Sequence, residues 1–570
     1  MIFKSRLQGW QKLLPYALLL SVTLALYGST LYFYFVWDDH YYITTNYRIH
    51  GLSWVHLQAI WTNTYLGHYA PVQHTFLAIL YYFSGLEPFN YHLAQLVVHA
   101  AGVVLLYGVL KKVESPRVAL LASLLFAVHP TSVETVAWIS ETKSTLAFLF
   151  FLLSWGAFLR LRERGGWSNG GLSVAFLVCS LLAKINTVVA PAIFFLWDYK
   201  ERALDRKRLW SLACFFLISA LFTWVHLRAF HGSQQVLENT YFGGPAVHLM
   251  NMPLLLSFYI QMTVFPHPLS AWEMFPVQQE FNVLIGLGWM GLLAMSWLLV
   301  RRPRSVQFWG LWFLVFLAPV LQIVPFPIWV ADRYLYIPAI GLFVLASRGF
   351  FWVGDRLRLA WQQWGWQAAM SALVIALAWR TDRHVPVWTN DLTLWAATTQ
   401  TCMTSPYCHL NLGLALLQNR QTERGIQELI RAVEIRPTPR YLMYLGDAFT
   451  MSARDYRLAL IAYQMALEQG GSDITAEFHA KLARCYLMAG RFEEAGRAIE
   501  AGKKLNANDP ALLVIEAFLQ WKLGNLEQTR QSLARVFRIT GRTSNAADFL
   551  YPFWGNAQDV GRLLADLRGQ

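Results

Sequence analysis

Charge is scarce in this chain of 570 residues: Asp, Glu, Lys and Arg together make up 14% of it, too little for the surface of a soluble globule of that length. Hydrophobic residues reach 56% and aromatics 15%, which excludes an ordinary soluble protein and points to an integral membrane one. Acids are scarcer than bases, 34 against 47, leaving a net charge of +13. That excess is not read as a nucleic-acid footprint, because bases in a membrane chain first gather in cytoplasmic loops, where they fix orientation. Cysteine is rare too, with five in all. Cys179 and Cys214 fall in apolar runs, Cys485 in a helical repeat, and Cys402 and Cys408 flank "MTSPY"; none has zinc-ligand spacing. An oxidising compartment would permit a Cys402–Cys408 disulfide, and two unpaired small apolar residues are an equal alternative.

What the chain has in abundance is apolar length. Leu13 to Val36 is too long for the apolar core of a cleaved signal peptide and long enough to cross roughly 30 Å of hydrocarbon, so it is predicted to remain as an anchor. Lys4, Arg6 and Lys12 precede it, which predicts a cytoplasmic N-terminus and puts Asp38 on the outer face. Further runs are Tyr91 to Leu110, Val118 to Ala137, Ser144 to Leu159, Leu172 to Ala183, Thr187 to Trp197, Leu209 to Phe230, Val283 to Val300, Phe308 to Phe326, Tyr334 to Val353 and Trp361 to Trp379. With the first they make eleven spans. Alternate connections, "KKVESPR", "RLRERGG", "DYKERALDRKR", "RRPRS" and "GDRLR", are basic, as the positive-inside pattern requires. The run from Asn251 to Ser270 would reverse that register if it crossed, so it is read as interfacial or re-entrant. Leu172 to Ala183 and Thr187 to Trp197 are short for ideal spans, and their junction "AKINT" is expected below the outer surface, inside a cavity.

From about Arg380 the composition becomes that of a soluble protein, and a repeat of roughly 34 residues sets in. Leu412-Gly413 with Ala432 and Pro437 makes one unit, Leu445-Gly446 with Ala459, Tyr463 and Ala466 the next, Leu482-Ala483 with Tyr486, Gly490 and Ala495 a third, and Ala517 with Gly524 a weaker fourth. The pattern is that of tetratricopeptide repeats, whose stacked helix pairs offer a concave face to extended peptides or partner proteins. The expected organisation is an all-α chain with a polytopic membrane domain at 1–380 and a connecting segment at 381–404. Repeats then occupy 405–540, and a capping helix 541–570.

Between Trp37 and Asn90 an outer loop carries two amphipathic stretches, "GLSWVHLQAIW" and "VQHTFLAILYYF", expected to lie along the membrane surface and roof a cavity. Asp38 and Asp39 open that loop, and the same outer layer receives His129, Glu134, Glu141, Lys143, Lys184 and Asp332-Arg333. Ionisable groups beside hydrocarbon are costly unless paired or used. A carboxylate pair supplies one group to accept a proton from a hydroxyl and a second to orient it or hold a cation. Lys143, Lys184 and Arg333 are suited to neutralise a phosphate leaving group. Together these groups describe glycosyl transfer from a lipid phosphate to a hydroxyl. Asp39, His68 and His74 are candidate ligands for a divalent cation, although "GHYAPVQH" lacks a metal signature and packing is the favoured reading of its histidines.

The succession "WDD", "HYAPVQHTFLAILYYFSGLEPFNYH", "AVHPTSVETVAWISETK", "SLLAKINTVVAPAIFFLWDY", "FPHPLS" and "ADRYLYIPAIGLF", followed by the repeats, resembles the transmembrane-and-tetratricopeptide-repeat O-mannosyltransferases and their bacterial relatives. It is more distantly similar to other protein O-mannosyltransferases and to lipid A aminoarabinose transferases, all of the GT-C fold. The resemblance implies that Asp38 is the catalytic base, with Asp39 where relatives carry a second acid. It also implies that Glu134, Lys143, Lys184 and Arg333 belong to the donor pocket, with His129 beside them. Two positions depart from the family pattern: Thr142 stands where a basic residue is usual, and Ile185 where proline is. The function so implied is inverting transfer of a mannose-like sugar from a polyprenyl phosphate to a protein Ser/Thr hydroxyl on the extracytoplasmic face. The setting it fits is a bacterial inner membrane with the repeats in the periplasm. The alternatives are a transferase of the same fold acting on a lipid or envelope glycan, or a membrane-anchored repeat scaffold without catalysis.

Overall fold

The computed structural model describes residues 2–231, 244–323, 328–540 and 546–568. The expected all-α, polytopic class is borne out: among those residues the regular structure is helical, with no strand and with several helices long and apolar enough to cross a membrane. It forms two compact units, Met1–Leu394 and Trp395–Gln570.

Six helices of the first unit are long and apolar enough to cross a membrane, or up to seven if one bent pair counts as a span. Eleven were expected, and the difference has physical causes. Val118 to Ala137 is not one rod: Pro130 forbids the helical hydrogen bond at that point, and the helices Pro116–Val128 and Pro130–Ala137 meet at 58°. Trp167–Ala183, Arg304–Val320 and Ala339–Gly354 are apolar but fall short of a full crossing in length. The segment after Ala183 stops at Lys184, passes through a 3-10 turn at Ile185–Val189, and resumes as the Ala190–Lys200 helix.

The run after Asn251 belongs to a continuous helix, Pro245–Val264, that satisfies length and hydropathy for a span. Its ends are nonetheless tied to neighbouring stretches of the chain. His248 stacks on Trp329 at 4.7 Å near one end, and His129 Nε2 contacts the Thr263 carbonyl at 3.1 Å near the other.

The five basic connections gather at one end of the unit. Arg162 and Arg208 both donate to Asp198, Arg304 donates to the Tyr199 carbonyl, Arg348 to Glu114, and Arg117 to Asp355. Arg162 ends the helix that Lys143 begins, and nineteen residues of α-helix separate them by about 28 Å. The two charge layers therefore sit a bilayer's thickness apart.

The second unit is built of antiparallel helix pairs. Pro406–Gln418 packs on Thr422–Ile435, Pro439–Ala448 on Tyr456–Gln469, Ala476–Met488 on Phe492–Leu505, and Pro510–Lys522 on Leu526–Thr540. Small residues sit where the helices approach most closely. A Cβ on Gly413 would lie 2.9 Å from the Gly425 carbonyl oxygen, so neither helix could hold its distance with alanine there. In place of one capping helix after 540 there are two short ones, Ala546–Trp554 and Ala557–Arg568. Cys402 and Cys408 are joined by a disulfide.

Candidate active site

The site is organised about Glu141. It closes the 3-10 turn Ile139–Glu141 at the start of the Thr142–Arg164 helix and is 1% exposed. Its Oε2 accepts a hydrogen bond from Lys184 Nζ at 2.8 Å, and its Oε1 lies 3.4 Å from Lys143 Nζ and 3.7 Å from Arg333 Nε. The Ser144 hydroxyl joins the pair, donating to Glu141 and lying 2.8 Å from Lys184 Nζ. Glu134 holds Arg333 twice, accepting from its backbone N–H at 2.8 Å and from its guanidinium. Three cations are thus gathered on two carboxylates, Glu141 and Glu134. Burial pulls Lys184 down to about 8 even though Glu141 opposes the shift. Between Ser144, Lys184, Thr187 and Arg333 lies a cavity of about 20 Å³, room for about one water.

Asp38 lies in the field of Lys143, Arg333 and Glu141 of this cluster. It is half-buried, and its carboxylate has no hydrogen-bond partner among the described residues. Burial pushes it above the usual carboxylate range, while Lys143 and Arg333 pull it back and Glu141 adds to the rise. Lys143 Nζ itself rests over the Tyr42 ring at 4.7 Å.

Asp39, its neighbour in sequence, does different work. It is fully buried, and its carboxylate accepts from the Val36 N–H at 3.2 Å, the Ser140 N–H at 2.7 Å and the Ser140 hydroxyl at 2.5 Å. Those bonds lock the start of the outer loop to the turn that carries Glu141. Burial still lifts its carboxyl to about 7 against them.

A second clamp comes from far along the chain. Trp37 adopts a left-handed conformation, φ 54°, strained for a bulky residue. Asp391 holds it there: Oδ1 accepts from the Trp37 N–H at 2.8 Å, while Oδ2 meets His40 Nε2 at 2.8 Å. The Trp37 ring stacks on Trp138 at 4.5 Å, and Trp138 in turn on Trp388 at 5.9 Å.

The remaining sequence candidates fall outside this cluster or at its edge. His129 has both ring nitrogens engaged, with Thr131 Oγ1 at 2.7 Å and the Thr263 carbonyl at 3.1 Å, and so fixes the bend between the two helices it joins. His74 Nδ1 lies against the Ala70 carbonyl of its own helix at 2.9 Å. His68 pairs with His226 instead, ring centres 6.1 Å apart. Among the described residues no three His, Cys, Asp or Glu side chains form a group that could hold a metal ion.

Sequence reasoning missed Asp391, Trp388, His226 and Glu273. Glu273 Oε1 and Asp332 Oδ1 are both buried without a hydrogen bond. Burial and then Glu134 push Glu273 up to about 8, while burial and then Glu273 push Asp332 up. A Trp-Glu pair in "SAWEMF" gave no periodic or motif signal to find.

These features define an all-α integral membrane protein with a buried, cation-rich centre at one end of its helices and an unpaired carboxylate facing it. The chain is TMTC-like, in keeping with the resemblance drawn from its motifs. It is 24% identical over 482 residues to the protein O-mannosyl-transferase TMTC3 of Mus musculus and 22% identical over 472 residues to that of Homo sapiens. Each match covers 74% of this chain and 51% of the relative. The protein O-mannosyl-transferase F38B6.6 of Caenorhabditis elegans is 23% identical over 474 residues, 76% of this chain and 64% of its own length. The chain spans about half the length of the first two relatives it matches. No family model matches it.

Proposed function

We propose that this protein is an inverting membrane glycosyltransferase of the GT-C type. In this reading it moves a mannose-like sugar from a polyprenyl phosphate to a Ser or Thr hydroxyl of a protein on the extracytoplasmic face. The observation that carries the reading is the Asp38 carboxylate, half-buried, free of hydrogen bonds among the described residues and in the field of Lys143 and Arg333, which Glu141 gathers together with Lys184.

A hydroxyl is a poor nucleophile until a positioned base takes its proton, and burial makes Asp38 a stronger base than a carboxylate in water. The hydroxyl oxygen attacks the anomeric carbon and its proton passes to Asp38. On the opposite side the bond from that carbon to the phosphate oxygen breaks, so configuration inverts. The electron pair leaves with the polyprenyl phosphate, and Lys143, Lys184 and Arg333 stabilise the charge that develops there. Glu141 holds the three cations together, and Asp39 keeps the loop in register with them. Three cationic side chains gathered at one point suit a phosphate better than a neutral ligand. The helix pairs beyond Trp395 are read as tetratricopeptide repeats that dock the acceptor or a partner. The relatives' names, protein O-mannosyl-transferases, support a sugar moved to protein. A bacterial inner membrane with periplasmic repeats is the setting this reading favours.

The test is transfer of radiolabelled sugar from polyprenyl-phosphate mannose to protein, in membranes carrying either the wild type or Asp38→Asn. Label recovered in protein with wild type and nearly lost with the variant is the expected result. Equal labelling by both removes Asp38 from the chemistry, and label recovered only in lipid replaces the acceptor.

A further inference from the structure

Outside the ion cluster, His68 and His226 bring two imidazole rings together without a hydrogen bond to either among the described residues. His68 sits at the close of a two-residue turn, Leu66-Gly67, in which both residues are left-handed, φ 47° and 74°. Glycine takes that conformation freely and leucine does not, so the turn is strained at Leu66, and strain of this kind gathers at functional sites. The surroundings hold it firmly. Tyr65 and His68 exchange two backbone hydrogen bonds of 2.9 Å, Arg48 Nη1 donates to the Thr64 carbonyl at 2.8 Å, and the Tyr65 hydroxyl donates to the Tyr41 carbonyl at 2.7 Å. The outcome of this construction is a histidine facing His226 of the Arg206–His231 helix, rings 6.1 Å apart and tilted by 38°.

Both histidines are half-buried, and neither ring makes a hydrogen bond among the described residues. His68 lies within the field of Lys143 and Lys184; burial first, then those two cations and His226, hold its imidazole well below its usual range. A neutral imidazole presents one donor and one acceptor, and two of them side by side match a surface that is itself both donor and acceptor. Hydroxyl groups on a ring are such a surface. Phosphate is not, since it offers acceptors only and finds its cations at Lys143, Lys184 and Arg333.

We infer that His68 and His226 form the subsite for the sugar ring of the lipid-linked donor, reading its hydroxyls while the neighbouring cations hold its phosphate. The inference rests on the donor reading above. It makes the pair determinants of sugar specificity, because a site built to hydrogen-bond a hydroxyl strongly rejects a ligand that lacks it. The phosphate supplies affinity common to all such lipids, and the histidines supply the choice among them.

The experiment measures equilibrium binding of two probes, polyprenyl phosphate and polyprenyl-phosphate mannose, to the full-length protein in lipid nanodiscs. His68→Ala and His226→Ala are each expected to weaken binding of the mannosylated lipid by about tenfold or more and to leave binding of the bare phosphate unchanged. His68→Gln, which keeps a donor and an acceptor, is expected to recover part of the loss. Unchanged affinity for the mannosylated lipid in both alanine variants overturns the inference. Equal weakening of both lipids also overturns it, by making the pair a support for the phosphate site. A raised KM for the acceptor alone overturns it too, because the hydroxyl being read is then the acceptor's. If the wild type binds neither lipid, the donor reading falls first and the inference with it.

Discussion

The two ends of the membrane unit are both lined with ions, and they spend them differently. At the basic end three acids are paired off: Asp198 accepts from Arg162 and Arg208, Glu114 from Arg348 and Trp309, and Asp355 from Arg117. At the other end one carboxylate serves three cations, and the Asp38 carboxylate accepts hydrogen bonds from none of the described residues. A saturated ion pair fastens one helix to another. An unsaturated one, kept in a buried place where it costs stability, is free to bind something that arrives later. The contrast teaches that within one protein the balance of partners, more than the presence of charge, separates structural ions from reactive ones.

The largest break in that comparison is expected at Asp38. Asp38→Asn keeps size and polarity but cannot take a proton, so turnover should fall by roughly 10² to 10⁴ with expression close to normal; wild-type turnover in membranes with saturating donor would refute it. Glu141→Gln comes next and acts on folding. Removing one partner from a buried cluster leaves the other charges uncompensated, a loss of about 3–5 kcal/mol, to be read as a drop in thermal midpoint in detergent. Arg333→Ala should slow transfer by about 10²-fold through loss of one charged donor to the leaving phosphate. Steady-state kinetics would show that loss in kcat, whereas a purely structural arginine would show it in yield of folded protein.

A smaller effect sharpens the contrast by pH. In the proposed mechanism Asp38, raised by burial, serves as base only above its own pKa, so activity should decline as pH falls through that raised value. Lys184, lowered to about 8, loses its charge as pH rises past that point, so activity should decline there as well. A bell-shaped profile of kcat/KM, which reports the free enzyme, is expected, and Lys184→Arg should move its alkaline limb upward because guanidinium stays charged. An alkaline limb that stays in place would assign it to another group. Least of all should happen at the basic end: Arg117 and Asp355 are each more than half exposed, so Arg117→Ala should leave thermal midpoint and turnover unchanged within error.

Much of this was readable from sequence where the signal is local. "HPTSVETVAWISETK" delivers Glu134, Glu141 and Lys143 within ten residues, and a break between two short apolar runs pointed to Lys184. The alternation of basic connections anticipated which helix ends lie together, and the Arg162–Asp198 and Arg348–Glu114 pairs show those ends joined. Composition and hydropathy did not reveal that Pro130 bends one expected span. Nor did they show that adjacent aspartates diverge, one locked by Ser140 and the other left open, because that depends on which way a turn points its side chains. The long-range partners were beyond reach: Asp391 lies 354 residues from Trp37, and nothing in either neighbourhood announces the other.

That distance has a consequence for how the protein comes into being. A ribosome delivers the WDD turn among its first products and Asp391 only after the last helix of the membrane unit has been made. Until then Trp37 lacks the acceptor that holds it in its left-handed pose, and the Asp39 bonds to Val36 and Ser140 fasten the start of the outer loop without it. A product cut short by premature termination before residue 391 never gains the two contacts, to the Trp37 N–H and to His40, that Asp391 makes with this turn.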